Sequence, residues 1–392
     1  MRKIYATILL TIGFYAMAQA APVTRTAAQK TAARFFGTTT SRKAPRMVSS
    51  ARRTASAQAA YYVFNSSDKN AFVIVSGDDR TPEIIGYSKA ETFETGSLPT
   101  NIKAYLDGVK AQIDYLDRTE QETKQAPARV AATHSVQPLL SSTWNQSSPY
   151  SDQCPTVSNE QCATGCVATA MAQVMNYYHY PEATLAEIPT YTTSSRKITL
   201  ASVPAQTTID WANMLDNYTS TSTTEQQTAV ANLMSYVGRS VKMDYNTAAY
   251  GGSGAYNNNI APALRNYFGY PNAYDLDRSS TTMADFQQKV YNDIAASHPV
   301  ILCGSSSGGG HCFVADGYDG DNYFHINWGW GGMCDGYFLL SLLNPDSNAG
   351  IGASSTTDGY TMFNSAVLGI APEGQTVNKA AQGLTFSILE AY

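Results

Sequence analysis

The chain has 392 residues, of which 43% are hydrophobic, so it is long enough for two domains with a substantial core. Its net charge is −5 and no segment is strongly basic, which excludes the charge pattern of a nucleic-acid-binding protein. Only 15% of the residues are charged, while 26 are tyrosine. A surface solvated mainly by neutral polar groups suits an exported protein.

The first twenty residues predict export more directly. Two basic residues precede an apolar run over residues 4–17, and Ala18-Gln19-Ala20 has the small-x-small pattern of a signal-peptidase site. The run is short for a membrane span, although a membrane anchor is the alternative. We therefore expect residues 1–20 to be a signal peptide. The mature protein would be secreted, periplasmic or on the surface of a bacterial cell, with no membrane span.

Residues 21–132 predict a small α+β domain. Apolar residues with helical spacing alternate here with short runs of β-branched and aromatic residues. We expect residues 49–60, which are rich in alanine, serine and arginine, to be an exposed, cleavable linker. The predicted elements are helices over residues 24–36 and 101–116 and strands over residues 61–64, 71–76 and 84–88, the first two strands forming a hairpin.

A second linker is predicted over residues 117–134, because this stretch is polar, contains proline and has no periodicity. Lys124 and Arg129 offer basic cleavage points within it. Residues 133–372 then predict a second domain and residues 373–392 a C-terminal tail. The elements expected in the second domain are helices over residues 166–179, 224–240, 258–267 and 282–296, followed by an antiparallel sheet built from VILCG, CFVADGYD, YFHINWG and GYFLLSLL.

Cys166 is a candidate nucleophile because of its place in a predicted helix. Apolar residues recur with a period of 3.6 between Val167 and Tyr178, so Cys166 lies at the first turn. Free N–H groups and the helix dipole favour an anion there, and a thiol so placed should ionise more readily and react as the thiolate. The alternative is an inert buried cysteine.

Six cysteines are present, and an even number in an exported protein can form disulfides. If one of them is catalytic, at least one other is unpaired. A zinc site is the other alternative, since Cys162 and Cys166 have a CxxxC spacing, but no second close Cys/His pair has a structural-zinc pattern. We therefore expect neither a metal nor a cofactor.

His311 is the candidate base for this thiol. It follows the glycine-rich loop GSSSGGG and opens a predicted strand, and Asn327 and Trp328 lie on the next strand at a spacing that suits a hairpin. An imidazole accepts a thiol proton near neutral pH, and a third group must orient it. Gln146 could join the Cys166 N–H in stabilising an oxyanion. His311 could instead be a surface residue, Gln146 a turn residue and His325 a competing base.

These motifs in this order resemble one family. TGCVATAMAQVMNYYHYP, GHCFVADGYD and FHINWGWGGMCDGYF are similar to the streptopain family of papain-like cysteine peptidases, and AFVIVSGDDRTPEIIGYS resembles its inhibitory pro-domain. The resemblance implies an exported zymogen with an α+β fold, whose papain-like catalytic domain carries the cysteine on its helical part and the histidine on its sheet. The pro-domain would block the cleft until cleavage in the linker removes it.

The resemblance also implies the roles of individual residues. Cys166 would be the nucleophile and His311 the general base and then acid, with Gln146 in the oxyanion hole. Asn327 would orient His311, although Trp328 competes for that role. The residues expected to wall the substrate cleft are Trp330, Gly310 and Gly251. The family's preference for a hydrophobic residue at the second position before the scissile bond implies a broad endopeptidase, acting as a monomer on proteins or peptides.

This chain departs from the family at its cysteines. Cys154 and Cys162 flank the candidate nucleophile, and Cys312 replaces a small residue next to His311, which raises the hypothesis of a reversible disulfide to the nucleophile. Two other classes of function were weighed. A cysteine-dependent cell-wall peptide amidase seldom needs a pro-domain, and a non-enzymatic binding or inhibitor protein would have no use for Cys166 and His311.

Overall fold

The computed structural model describes residues 22–38, 43–96, 98–119, 127–306, 309–343, 365–372 and 374. The expected signal peptide, Lys124 and nearly all of the C-terminal tail lie outside these ranges. The described helices are α1 (Arg25–Phe36), α2 (Thr100–Arg118), α3 (Cys166–Tyr178), α4 (Thr224–Ser240), α5 (Ile260–Phe268) and α6 (Met283–Ala295).

Fourteen strands are present in the same ranges, and several of them are only two or three residues long. They are β1 (Arg46–Arg52), β2 (Ala59–Asn65), β3 (Phe72–Ser76), β4 (Ile84–Ser88), β5 (Thr156–Val157), β6 (Glu160–Gln161), β7 (Tyr191–Thr192), β8 (Thr199–Leu200), β9 (Tyr274–Asp277), β10 (Val300–Ser306), β11 (Gly309–Tyr318), β12 (Phe324–Asn327), β13 (Gly336–Phe338) and β14 (Ser365–Leu368). The α+β fold is confirmed.

One antiparallel sheet of ten strands runs through the molecule, in the order β1-β2-β3-β4-β13-β12-β11-β10-β14-β9. The amino-terminal strands β1–β4 therefore extend the sheet of the second domain. The junction is short in the described residues, because β4 pairs with β13 at Tyr87↔Tyr337 and Gly86↔Phe338 and one more backbone bond follows, from the Leu339 N–H to the Ile85 carbonyl. Side chains rather than backbone pairing must supply most of the contact between the two parts.

Both faces of the sheet are covered by helices, which explains why its strands read as continuous apolar runs. In β2, Val63 faces one core and Phe64 the other, as the alternation of side chains along a strand requires. α2 and α6 pack on one face, and α2 reaches from β2 across to β10 and β11. α1 and α3 pack on the opposite face.

The core under α2 is shared between the two predicted domains. It combines Ile102 and Tyr105 of α2 with Phe313, Trp328 and Phe338 of the second domain, all of them buried. A separate core surrounds α3, whose apolar face lies between α4 and the sheet. The amino-terminal part is thus packed into the molecule rather than tethered to it.

The prediction of an exposed linker over residues 49–60 is wrong at both ends, although residues 54–58 form an exposed loop. Residues 49–52 belong to β1, which pairs with β2 at the edge of the sheet. Arg53 is 7% exposed and lies 2.8 Å from Asp78 and 3.1 Å from Asp117. Arg80 completes this buried ion network with the same two carboxylates. Arg53, one of the two charged residues of the predicted linker, thus links elements of the amino-terminal domain, whereas Arg52 is exposed.

Candidate active site

Cys166 is the first residue of α3, as its sequence pattern predicts. The preceding Gly165 has φ +86°, and a Cβ there would come within 2.8 Å of the Met243 side chain and 3.0 Å of the Ser253 carbonyl. Both the backbone angle and the space therefore demand glycine at this turn. Thr164 anchors the turn, since its N–H donates to the Gln146 carbonyl at 3.1 Å. This arrangement fixes where the Cys166 sulfur points.

The electrostatics of the Cys166 thiol differ from the expectation. Burial raises its pKa, although the N–H groups of Cys312, Val167 and Cys166 itself act to lower it. The Cys312 N–H lies 3.4 Å from the Cys166 sulfur. Burial outweighs these N–H groups, so the net direction is a raised thiol pKa, and the easier ionisation expected at a helix start stays a prediction.

His311 lies on β11 and lines the same cavity as Cys166. Burial lowers the pKa of His311, which keeps the imidazole neutral near pH 7 and able to accept a proton. The cavity has a volume of about 630 Å³, and its described walls come from residues between Cys166 and Cys312. No described residue of the amino-terminal domain is among them.

Gln146 lies close to the cysteine turn through its backbone. Its carbonyl accepts the Thr164 N–H, and its own N–H bonds the Asn145 side chain at 2.7 Å. Gln146 is not among the residues that line the cavity in the described chain. Its backbone lies beside the turn, and the assignment of its side chain to an oxyanion hole stays a prediction.

Asn327 has partners other than the predicted one. It is 3% exposed, its side-chain NH₂ donates to the Ser142 carbonyl at 2.8 Å, and its oxygen accepts from Gln173 and the Gly329 N–H, both at 3.0 Å. The predicted hairpin is present, but its register pairs Asn327 with Val314. The Asn327 amide thus joins β12 to α3, and in the described residues its hydrogen bonds go to Ser142, Gln173 and Gly329 rather than to His311.

Trp328 is likewise committed to the core. It is 1% exposed, and its ring centroid lies 4.8 Å from that of Phe313 and 5.2 Å from that of Phe338. Its indole N–H donates to the Cys334 carbonyl at 3.1 Å. Trp328 is thus connected to His311 through Phe313, which lies on the same strand as His311.

The three predicted cleft residues have different positions. Gly310 lines the cavity. Gly251 is exposed and absent from the described lining, but its neighbours Gly252 and Gly254 line the cavity. Trp330 is half-buried, packs against the shared core and is absent from that lining. The glycine-rich turn after Tyr250 is thus near the cavity, whereas Trp330 lies outside its described wall.

His325, the alternative base, belongs to a different part of the molecule. Its Nδ1 lies 2.6 Å from Asp316, and it lines a second cavity of about 540 Å³. This second cavity lies between residues 87–91 of the amino-terminal domain and the second domain. Burial acts to lower the pKa of His325, but the Asp316 carboxylate outweighs burial and raises it.

Two features of the site were not predicted from the sequence. Gln173, 0% exposed, links α3 to Trp144 and Asn327. Gln173 could have been singled out in the sequence, because it is a polar residue among the apolar residues of α3. The second feature is a disulfide between Cys303 and Cys312 next to His311, whereas Cys154, Cys162, Cys166 and Cys334 are free. Spacing alone could not identify this pair.

Comparison with known proteins decides the family. Residues 144–338 match the model of the Peptidase C10 family, and residues 20–113 match that of the Spi protease inhibitor. The chain is 35% identical to streptopain of Streptococcus pyogenes over 337 residues, covering 79% of this chain and 80% of streptopain. The chain belongs to the Peptidase C10 family.

Other relatives extend this similarity. The thiol protease/hemagglutinin PrtT of Porphyromonas gingivalis is 33% identical over 95% of this chain, which spans only 44% of PrtT. The structure of a prointerpain A fragment from Prevotella intermedia matches with a TM-score of 0.72 at 31% identity, covering 84% of this chain and 99% of the fragment. Active interpain A matches with a TM-score of 0.53 at 34% identity, over 63% of this chain and 98% of its own.

These matches identify the chain as a cysteine endopeptidase of the C10 family that carries an inhibitor-like pro-domain, so it is a zymogen. The recognition of the streptopain family is confirmed. In the described residues, no helix is long and apolar enough to cross a membrane, and no group of three or more potential metal ligands comes together.

Proposed function

We propose that this C10 peptidase cleaves internal peptide bonds of proteins, with Cys166 as the nucleophile and His311 as the base. The observation that carries the proposal is that both side chains line one cavity, with Cys166 at the helix start and His311 on the facing strand. A thiol and a neutral imidazole are the pair that acyl transfer from an amide requires.

The reaction begins when His311 takes the proton of the Cys166 thiol and the sulfur attacks the substrate carbonyl. The oxyanion that forms lies near the Cys166 N–H, and the Gln146 side chain supplies a second donor. The tetrahedral intermediate collapses as the protonated His311 gives its proton to the leaving amine. Water, activated by His311, then hydrolyses the acyl-enzyme and restores the thiol.

We propose that the amino-terminal domain, residues 21–132, keeps this site inactive until cleavage within residues 117–134. From the sequence we expected the pro-domain to block the cleft. The described cavity wall does not support this expectation, because every described residue in it lies between Cys166 and Cys312. The pro-domain instead contacts the segment after β12. The Asn101 side-chain NH₂ donates to the Trp328 carbonyl at 2.9 Å, and the Tyr105 ring lies 5.8 Å from the Trp328 ring.

Inhibition would then act through the packing of Trp328 and Phe313, and so through the strand that carries His311. We further propose export to the cell surface or beyond, action as a monomer, and a broad specificity with a hydrophobic preference. The secreted state rests on the sequence pattern of residues 1–20, and the specificity on family resemblance.

Casein hydrolysis by variants of the full chain tests the assignment of the two residues. Cys166→Ala and His311→Ala should each lower the rate of peptide-bond cleavage at least about a thousandfold, because each removes a group that takes part in bond making or proton transfer. Cys154→Ala removes a buried sulfur from the same core and should retain activity. Full activity of Cys166→Ala would refute the proposal.

A further inference from the structure

The Cys303–Cys312 disulfide joins β10 and β11 beside the candidate active site. These two residues are direct partners in the strand register, and the next pair is Gly304↔His311. Both half-cystines line the cavity that contains Cys166. The covalent link therefore lies one residue from the candidate base and in the wall facing the candidate nucleophile.

The backbone around Cys312 leaves one N–H group available to Cys166. The Cα atoms of Cys303 and Cys312 are 4.2 Å apart, which is typical of a non-hydrogen-bonded pair in an antiparallel ladder. The Cys312 N–H consequently points away from β10. On its other side, β12 pairs with β11 only as far as Val314↔Asn327.

The Cys312 N–H thus lies beyond the end of β12, and its hydrogen bond goes to the Cys166 sulfur at 3.4 Å. A backbone N–H that donates to sulfur stabilises the thiolate more than the thiol. The distance is ordinary for a bond to sulfur, and movement of Cys312 away from Cys166 would lengthen and weaken it. A link that fixes the position of the Cys312 Cα relative to β10 therefore also fixes the position of the Cys312 N–H.

We propose that the Cys303–Cys312 disulfide is a positioning element, which holds the Cys312 N–H on the Cys166 sulfur and so favours the reactive thiolate. The inference rests on the proposed nucleophilic role of Cys166. The disulfide takes no part in bond making with the substrate. It limits how far β11 can move from β10 at the residue that follows His311.

The test compares the full chain with its Cys303→Ala/Cys312→Ala variant, both without reductant. The probe is iodoacetamide, and mass spectrometry of the Cys166 peptide gives its alkylation rate between pH 5 and pH 11, because burial raises the pKa of this thiol. We expect the midpoint of the pH profile to rise by roughly 0.5 to 1 unit and the rate at pH 7 to fall roughly three- to tenfold. Cys154→Ala is the matched control and should keep the wild-type midpoint.

A midpoint that is unchanged in the double variant would overturn the proposal, even if the melting temperature falls, because a purely structural cross-link would not affect ionisation of Cys166. If the alanine variant does not fold, the Cys303→Val/Cys312→Val variant, which restores apolar volume, takes its place. The same rise in the midpoint is then expected, and an unchanged midpoint would again overturn the proposal. Casein hydrolysis by the wild type tests the proposed function separately. Lack of hydrolysis with a shifted midpoint would refute the peptidase mechanism and leave the positioning role standing.

Discussion

Gln173 is a single side chain that joins three parts of the catalytic domain. Its oxygen accepts from the Trp144 N–H at 3.1 Å and from the Ser142 hydroxyl at 3.2 Å, and its NH₂ donates to Asn327 at 3.0 Å. The Asn327 NH₂ returns a bond to the Gln173 oxygen at 3.2 Å. α3, which carries Cys166, is thereby tied to β12 and to the segment before Gln146.

Replacing Gln173 by alanine should destabilise the chain by about 2–4 kcal/mol, because buried donors of Trp144 and Asn327 lose their acceptor. Gln153→Ala is the matched control, since Gln153 is exposed and its loss should change stability by less than about 0.5 kcal/mol. Denaturant titration of both variants measures the difference. Equal stability of the two variants would contradict the structural role given to Gln173.

At this scale the sequence allows prediction of some residues and not of others. Cys166 and His311 were predictable because one opens a periodic helix and the other follows a glycine-rich loop, and both do line one cavity. The partner of Asn327 was not predictable. Strand spacing indicates a hairpin but not its register, and a shift of one residue turns a side chain to the opposite face.

Among the elements, the start of α2 links the pro-domain to the catalytic strands. Asn101 is 2% exposed and bonds the Trp328 carbonyl, and the Tyr105 hydroxyl donates to the carbonyls of Ile85 and Leu339 at 3.2 Å and 3.0 Å. One turn of helix thus contacts β4, the end of β13 and the residue after β12. These are the contacts through which we propose that latency is maintained.

Asn101→Ala should weaken latency, because it leaves the buried Trp328 carbonyl without its partner. A loss of about 1–2 kcal/mol corresponds to a roughly 5- to 30-fold effect. We expect the lag before the full chain gains activity on casein to shorten by about that factor. Lys103→Ala, an exposed substitution on the same helix, should keep the wild-type lag. A lag that is unchanged in Asn101→Ala would count against this contact.

The helices could largely be predicted from the sequence because burial of one face imposes a clear period, and the central strands because burial of both faces gives short apolar runs. The predicted helix over residues 224–240 corresponds to α4, with a capping box formed by Thr223 and Gln226. β1 was missed because RMVSSAR lacks alternation and lies at the edge of the sheet, where solvent imposes no pattern. Likewise, GYFLLSLL predicted a longer strand than the three residues of β13.

On the scale of the whole molecule, the pro-domain and the catalytic domain share one sheet and one core. In the described residues, β4 and β13 pair at two positions and are joined by one more backbone bond, from the Leu339 N–H to the Ile85 carbonyl, so the common apolar core under α2 supplies the larger part of the attachment. Removal of the pro-domain would uncover buried rings of Trp328 and Phe338. The catalytic strands must then repack, which connects loss of the pro-domain to a change near His311.

This continuity could not be predicted from the sequence. Composition and periodicity indicate where each domain lies, but not that β4 pairs with β13, because Gly86 and Phe338 are far apart in the chain. The contacts of residues 127–134 could not be predicted from the sequence either. The Val130 N–H bonds the Asn322 side chain at 3.2 Å and the Ala131 N–H bonds Gln288 at 2.8 Å, so part of the predicted linker is docked on the catalytic domain.

The central claim is that one site, at Cys166, is held latent by the pro-domain and cuts proteins once that domain is removed. Mass spectrometry over time of the wild-type full chain with casein and low reductant, beside the Cys166→Ala chain, tests this claim most directly. We predict that the wild type loses its pro-domain by cleavage within residues 117–134 before casein is cut, while Cys166→Ala stays intact and inactive. Cleavage of casein by wild-type chains that all retain the pro-domain, or by Cys166→Ala, would contradict it.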